Sequence, residues 1–255
     1  MKMDYYVLDP TGNITILVRT PVPEAEQPAV AAGLMAAEPS AEQVGFLSSS
    51  EDCDLALRMA GGEFCGNASM SAAMLQAMSL QTESCRVRLR VSGAEKPVTV
   101  QMTAGPDGIW TGTVKMPDPM SVETVDLPEA GPLPLVRFEG ISHVIMEKEV
   151  SRPEAERFAR DWCACLGADA LGLMFLDRAA CRLVPLVYVP AAGTLYWENS
   201  CASGTTAVGA YLAAKAKKPV KASLAQPGGS LTVQVQEDGG ILLTGTVRLL
   251  KYKCQ

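Results

Sequence analysis

The chain has one histidine, His143, no C-x-x-C pair, no excess of basic charge and no run approaching about 20 consecutive apolar residues, and each absence closes a class of function. The closest cysteines are Cys163 and Cys165, one residue apart in a segment with helical periodicity, so a zinc ligand set is not there to be read. Without a long apolar run there is no helical membrane span, and the expectation is a soluble chain. With 28 acidic against 22 basic residues and a net charge of −6, the chain lacks the electrostatic footprint of a nucleic-acid binder. The first residues carry Asp4 and Asp9 and no apolar run of signal-peptide length, which makes the expected location cytoplasmic.

What is present is a chain of 255 residues, 48% apolar, long enough for one large domain or two smaller ones. Eight cysteines would suggest a disulfide framework only in a small secreted domain, so free thiols are expected. Cys53, Cys85, Cys163, Cys165, Cys181 and Cys254 lie among apolar or mixed neighbours and read as small hydrophobes. Strand patterns cover 3–8, 14–18, 86–91, 97–102, 183–189, 231–235 and 241–250, and helix patterns cover 66–79, 151–166 and 203–216. Five prolines in residues 117–134 mark the best linker, since proline neither donates to a ladder nor continues a helix. The expected division is therefore an N-terminal lobe, 1–118, and a C-terminal lobe, 119–255, with the last strand free to return to the first lobe.

Cys65 and Cys201 stand apart from the other six. An offset of 136 aligns Cys65-Gly-Asn-Ala-Ser with Cys201-Ala-Ser-Gly-Thr, each a cysteine followed by a helix of small residues. No charged residue occurs from Phe64 to Thr82 or from Asn199 to Ala214. A surface helix needs a polar face, so each of these helices is expected inside its own half. The fold class that follows is α/β, two similar lobes, each a curved barrel-like mixed sheet around a central helix. A helix N-terminus offers unpaired N–H groups and about half a positive charge, which lowers a thiol's pKa and binds carboxylates. Cysteine there can act as a base or nucleophile, and two such ends suit proton removal from one face of a carbon and return on the other. Two ordinary buried helices that happen to begin near a cysteine would give the same pattern.

The stretch Gly61-Gly-Glu-Phe-Cys65-Gly-Asn-Ala-Ser resembles the Cys-Gly-Asn motif of the diaminopimelate epimerase family, cofactor-independent amino-acid racemases and epimerases that include histidine racemase-like members. Further pieces fall in the family's order: Asp9-Pro-Thr-Gly-Asn13, Gly140-Ile-Ser-His143, Ser200-Cys201-Ala-Ser-Gly-Thr205, and Gln226-Pro-Gly-Gly-Ser with Leu243-Thr-Gly245. The resemblance implies Cys65 and Cys201 as the acid/base pair, with no pyridoxal phosphate, metal or nicotinamide. It implies that backbone N–H groups of Gly66, Asn67, Ala202, Ser203, Gly204 and Thr205 cradle the substrate's α-carboxylate. Asn13 would line the substrate side, and His143 with Glu198 would sit beside the cysteines and bias their protonation. The amides would stabilise charge developing on the carboxylate as the α-proton leaves.

Departures from the family pattern bear on substrate. Residues 58–62 hold no asparagine for a distal end, Ile141 stands for an asparagine, and Asn199 follows Glu198 where an arginine is usual. Losing three polar contacts argues for a side chain other than that of diaminopimelate, with histidine a candidate. Diaminopimelate epimerase proper, a phenazine-type isomerase, a non-catalytic amino-acid binder and a reversible Cys65–Cys201 disulfide remain as alternatives; both cysteines count against the phenazine type, which has Glu at the first. Asn67 can be a plain helix cap, Asn13 a turn residue and His143 a structural histidine. The expected partner is a small amino acid, with no nucleic acid and no membrane, and a homodimer stays open.

Overall fold

The computed structural model describes residues 3–254. Along the chain run β1 (Asp4–Pro10), β2 (Thr15–Val18), α1 (Gln27–Ala37), β3 (Gln43–Ser48), β4 (Leu55–Met59), α2 (Gly66–Ser79), β5 (Ser84–Val91), β6 (Val98–Ala104), β7 (Ile109–Met116), β8 (Ser121–Leu127), β9 (Gly131–Phe138), β10 (Ile141–Met146), α3 (Arg152–Leu166), β11 (Leu171–Asp177), β12 (Arg182–Val189), β13 (Thr194–Trp197), α4 (Ala202–Ala216), β14 (Val220–Gln226), β15 (Gly229–Val235) and β16 (Ile241–Cys254). The chain divides into two units. One runs as far as Lys115 and takes back the chain from Thr244; the other is Met116–Leu243.

In the first unit the strand order is β1-β2-β3-β4-β5-β6-β7-β16, and β16 pairs back onto β1, Tyr6 opposite Tyr252 and Pro10 opposite Val247. The fold is mixed α/β with this closed eight-stranded barrel. The β2–β3 and β4–β5 pairs are parallel, so each needs a long crossover, supplied by α1 and α2. Those helices take opposite sides of the sheet. α1 covers the outer face through Ala31 and Leu34 against Tyr5, Val7, Ile16, Val18, Val44 and Phe46. α2 lies within the barrel against β1, β2, β4, β5 and β6. With apolar partners on both faces, β2 is buried at every position and reads as a continuous apolar run rather than an alternation.

The composition of α2 follows from its place. A helix enclosed by a barrel has no wet face, and Gly66–Ser79 carries no charge and is buried from Gly66 through Met74. Its neighbours must also be small: a Cβ on Gly112 of β7 would lie 2.9 Å from Met70 Cγ. The second unit repeats the device, its strands ordered β8-β9-β10-β11-β12-β14-β15 with β13 added to β12. Its parallel pairs, β10–β11 and β12–β14, enclose α3 and α4 respectively. α3 is amphipathic and buries Phe158 and Trp162 against Leu135, Leu171 and Leu186. α4 is the uncharged one up to Ala214, and Gly209 lets it approach β15 to where a Cβ would be 2.4 Å from Val233 Cγ2.

The proline-rich stretch 117–134 is not a linker. It forms β8 and the first half of β9, an antiparallel hairpin with Thr124 opposite Pro134 and Asp126 opposite Pro132. Proline is tolerated because β9 meets its second neighbour, β10, only from Leu135 onward, so no ladder on that side needs the nitrogens of Pro132 and Pro134. Pro117 and Pro119 precede β8, and Pro128 falls in the turn. No helix among the described residues is long and apolar enough to cross a membrane.

Candidate active site

Both predicted cysteines cap a helix, and they do so with the same bonds. Cys65 is the N-cap of α2 at φ −133°, ψ 114°, and Cys201 the N-cap of α4 at φ −124°, ψ 111°. Each is extended, so its side chain swings back over the first turn. Sγ of Cys65 accepts the Ala68 N–H at 3.4 Å, and Sγ of Cys201 accepts the Gly204 N–H at 3.3 Å. Four residues on, a hydroxyl braces the same carbonyl: Ser69 Oγ donates to Cys65 O and Thr205 Oγ1 to Cys201 O, each at 2.7 Å. The 136-residue echo is thus an echo of hydrogen bonds.

In the first unit Cys65 is half-buried, and its S–H donates to Gln43 Oε1 at 3.1 Å. Gln43 stands at the start of β3, next to β2, and its amide nitrogen reaches Asn13 Oδ1 and, at 3.0 Å, Thr15 Oγ1. Asn13 is 4% exposed and donates in turn to Glu42 Oε2 at 2.6 Å. The loop that presents Asn13 is held by its own chemistry. Gly12 N–H donates to Asp9 Oδ1 at 2.6 Å, and Thr11, at φ 56°, exchanges bonds of 3.1 and 3.0 Å with the Thr246 backbone on β16. A β-branched residue at positive φ is strained and persists only where its surroundings hold it. Gly66 and Asn67, the predicted carboxylate donors on this side, are the first two residues of α2 and both are buried.

In the second unit Cys201 is 5% exposed. Its N–H donates to Gln226 Oε1 at 2.9 Å, Gln226 Nε2 donates to Thr205 Oγ1 at 2.8 Å, and Ser203 Oγ lies 3.6 Å from Sγ. Its thiol pKa is raised well above the ordinary value, first by burial, then by the charge of Glu198 and by the hydrogen bond that Glu198 accepts from it. The Gly204 N–H and Ser203 pull the other way and lose. A helix N-terminus by itself lowers a thiol's pKa; here desolvation and a carboxylate outweigh it. Among the amides expected to receive a carboxylate, Thr205 N–H is spent on Cys201 O at 3.0 Å and Gly204 N–H on Sγ. Ala202 and Ser203 are left as the first-turn donors.

His143 is fully buried on β10, edge-on to Phe138 at 6.0 Å between centroids. Neither ring nitrogen has a hydrogen-bond partner among the described residues. Burial pushes its pKa down to about 3, so the ring is neutral at pH 7 and carries no charge with which to bias a thiol. It faces Gly172 of β11, where a Cβ would lie 2.3 Å from Nδ1, and Met174 packs against that spot and against Gly204, 2.1 Å from the place of its Cβ. Met174 thereby fills the space beside Cys201. Trp197, next to Glu198, belongs to the core: it stacks on Phe175 at 5.6 Å and donates to Glu156 at 2.9 Å.

Gln43, Gln226 and Met174 were not singled out from sequence as site residues. Gln226 lies within one of the recognised motifs, which was its only signal. Gln43 has none: a glutamine at a strand start is ordinary, and 22 residues separate it from the sulfur it meets.

The chain matches, over residues 2–249, the family described as the histidine racemase CntK N-terminal domain. It is 35% identical over 245 residues to the histidine racemase of Fusobacterium nucleatum, covering 92% of this chain and 90% of that protein. It is 30% identical over 243 residues to the histidine racemase of Staphylococcus aureus strain Mu50, covering 91% and 88%. Among solved structures, a hydroxyproline epimerase from Agrobacterium vitis with bound trans-4-hydroxy-L-proline has a TM-score of 0.70, covering 100% of this chain and 92% of its own at 14% identity, a likeness of fold alone.

Proposed function

The chain belongs to the histidine racemase family, and on that premise we propose that it inverts the α-carbon of histidine with Cys65 and Cys201 as its acid/base pair. It is an isomerase, an amino-acid racemase. The observation that carries the mechanism is that each sulfur caps a helix, whose first-turn amides point outward and bind anions. The amides of Gly66 and Asn67, and of Ala202 and Ser203, receive the α-carboxylate and stabilise charge on it as the α-proton leaves. The lost distal contacts agree with a substrate whose side chain bears no carboxylate.

The neighbours divide the labour. The Cys201 S–H donates to the Glu198 carboxylate; burial and that charge hold the thiol form at rest, and we assign Glu198 to take the proton when substrate is bound. Cys65 donates to an amide carbonyl, which cannot take one. With the Cys201 proton on Glu198, the Cys201 thiolate removes the α-proton and the Cys65 thiol delivers its own to the opposite face. Cys201 then holds the substrate's proton and Cys65 is the thiolate, the form that acts on the other enantiomer. No step draws on pyridoxal phosphate, metal or nicotinamide. The test is proton NMR of the reduced protein with L-histidine in D2O and no added cofactor. Loss of the α-proton signal with formation of D-histidine is expected; no exchange with histidine, against exchange with another amino acid, would overturn the substrate.

A further inference from the structure

Glu42, Asn13 and Gln43 lie in a row that ends on the Cys65 sulfur, and the direction of every hydrogen bond in the row is dictated from its far end. A carboxylate only accepts. Asn13 must therefore turn its amide nitrogen to Glu42, at 2.6 Å, which leaves its Oδ1 facing Gln43. That oxygen in turn requires the Gln43 amide nitrogen. Thr15 repeats the demand: its hydroxyl proton is spent on Asn13 O at 2.9 Å, so at 3.0 Å it can only accept from Gln43 Nε2. Both N–H bonds of Gln43 are thus committed, and the atom left for Cys65 is Oε1, an acceptor. Flipping Gln43 would set oxygen against oxygen at both Asn13 and Thr15, in a network where Asn13 is 4% and Thr15 0% exposed.

We infer that Glu42, Asn13 and Gln43 form a hydrogen-bond chain of fixed polarity that favours the thiol form of Cys65. The bond from Sγ to Oε1 exists only while the sulfur carries its proton. Gln43 touches the reacting atom; Glu42 and Asn13 act through it and are positioning residues. The inference rests on the reading of Cys65 as an acid/base cysteine.

The experiment reads the thiol itself. The full chain is alkylated with iodoacetamide at pH 7, and the rate at Cys65 is followed by peptide mass spectrometry with exposed Cys165 as internal reference. Glu42→Gln removes the demand from the far end and leaves Thr15 as the one constraint on Gln43, and the Cys65 rate rises, by less than in Gln43→Leu. Gln43→Leu removes the acceptor, and the rate rises by about fivefold or more, the worth of one hydrogen bond. Because both act through one bond, the double variant reacts no faster than Gln43→Leu. An unchanged Cys65 rate in Glu42→Gln, or additive effects that mark a through-space charge, would overturn the inference. Alkylation of buried Cys163 reports unfolding; should Gln43→Leu unfold, Glu42→Gln, which changes one oxygen to nitrogen, decides alone. Failure of the two-cysteine mechanism reads out separately, as formation of D-histidine from L-histidine by Cys65→Ala.

Discussion

Cys65 and Cys201 make the same backbone bonds and meet different neighbours. Each caps a helix of small residues, each accepts the third amide of its helix, and each carbonyl is braced by a hydroxyl four residues on. Around Cys65, half-buried, stands an amide network whose last member offers a carbonyl. Around Cys201, buried, stand a carboxylate at the sulfur and a glutamine at the backbone nitrogen. A helix terminus contributes the same field to both. On the proposed assignment, what would separate the acid from the base is the group packed against each sulfur.

The comparison breaks most visibly if either sulfur is dispensable. Cys65→Ala and Cys201→Ala are each expected to lower histidine racemisation by about a thousandfold or more, followed by polarimetry. Near-normal turnover by one of them would reduce the pair to a single-base site. Next in size is acid stability. The only histidine lies in the second unit, with its pKa lowered to about 3 from 6.5. Its folded pKa is depressed, so its stability contribution is whole above about pH 6.5 and is lost as pH falls, because the unfolded chain then binds a proton the folded one refuses. The expected loss is about 1.4 kcal/mol per pH unit in that range. Denaturant midpoints between pH 7 and pH 4 check it: His143→Leu should lack this slope, and hydrogen exchange should show the acid loss in 116–243 rather than in the barrel. The smallest effect sharpens the sulfur contrast. Glu198→Gln removes the charge that helps hold the Cys201 proton, so the thiol titrates lower in NMR of isotope-labelled cysteine, yet stays above the ordinary value because burial is the larger cause. Racemisation falls by about a hundredfold with loss of the proton acceptor, and Cys65 alkylation does not change.

Much of the site was legible because it is local. A cysteine before an uncharged small-residue helix can be read from a dozen residues, and the helix expected at 66–79 has those bounds. The spacing of Ser69 and Thr205 from their cysteines is carried by the same short motif. The family resemblance, drawn to diaminopimelate epimerases from five motifs, resolves onto histidine racemases, the relatives that share its length and a third of its residues. Other features were not legible. Residues 117–134 look like a linker by composition and form a hairpin, because what proline forbids depends on whether a neighbouring strand needs its nitrogen. α1, β3 and β4 left no pattern clear enough to read, and with β3 went Gln43.

By itself the sequence determines which groups can exchange a proton and where along the chain they stand: two N-cap cysteines, two helices with no wet face, and one histidine. The tertiary structure decides their protonation. Helix capping is governed by bonds that span three or four residues, whereas a thiol's proton affinity depends on burial and on atoms brought from 22 residues away in Gln43. The same distance hides the polarity of the Glu42–Asn13–Gln43 row, which exists only once β3 is laid beside β2.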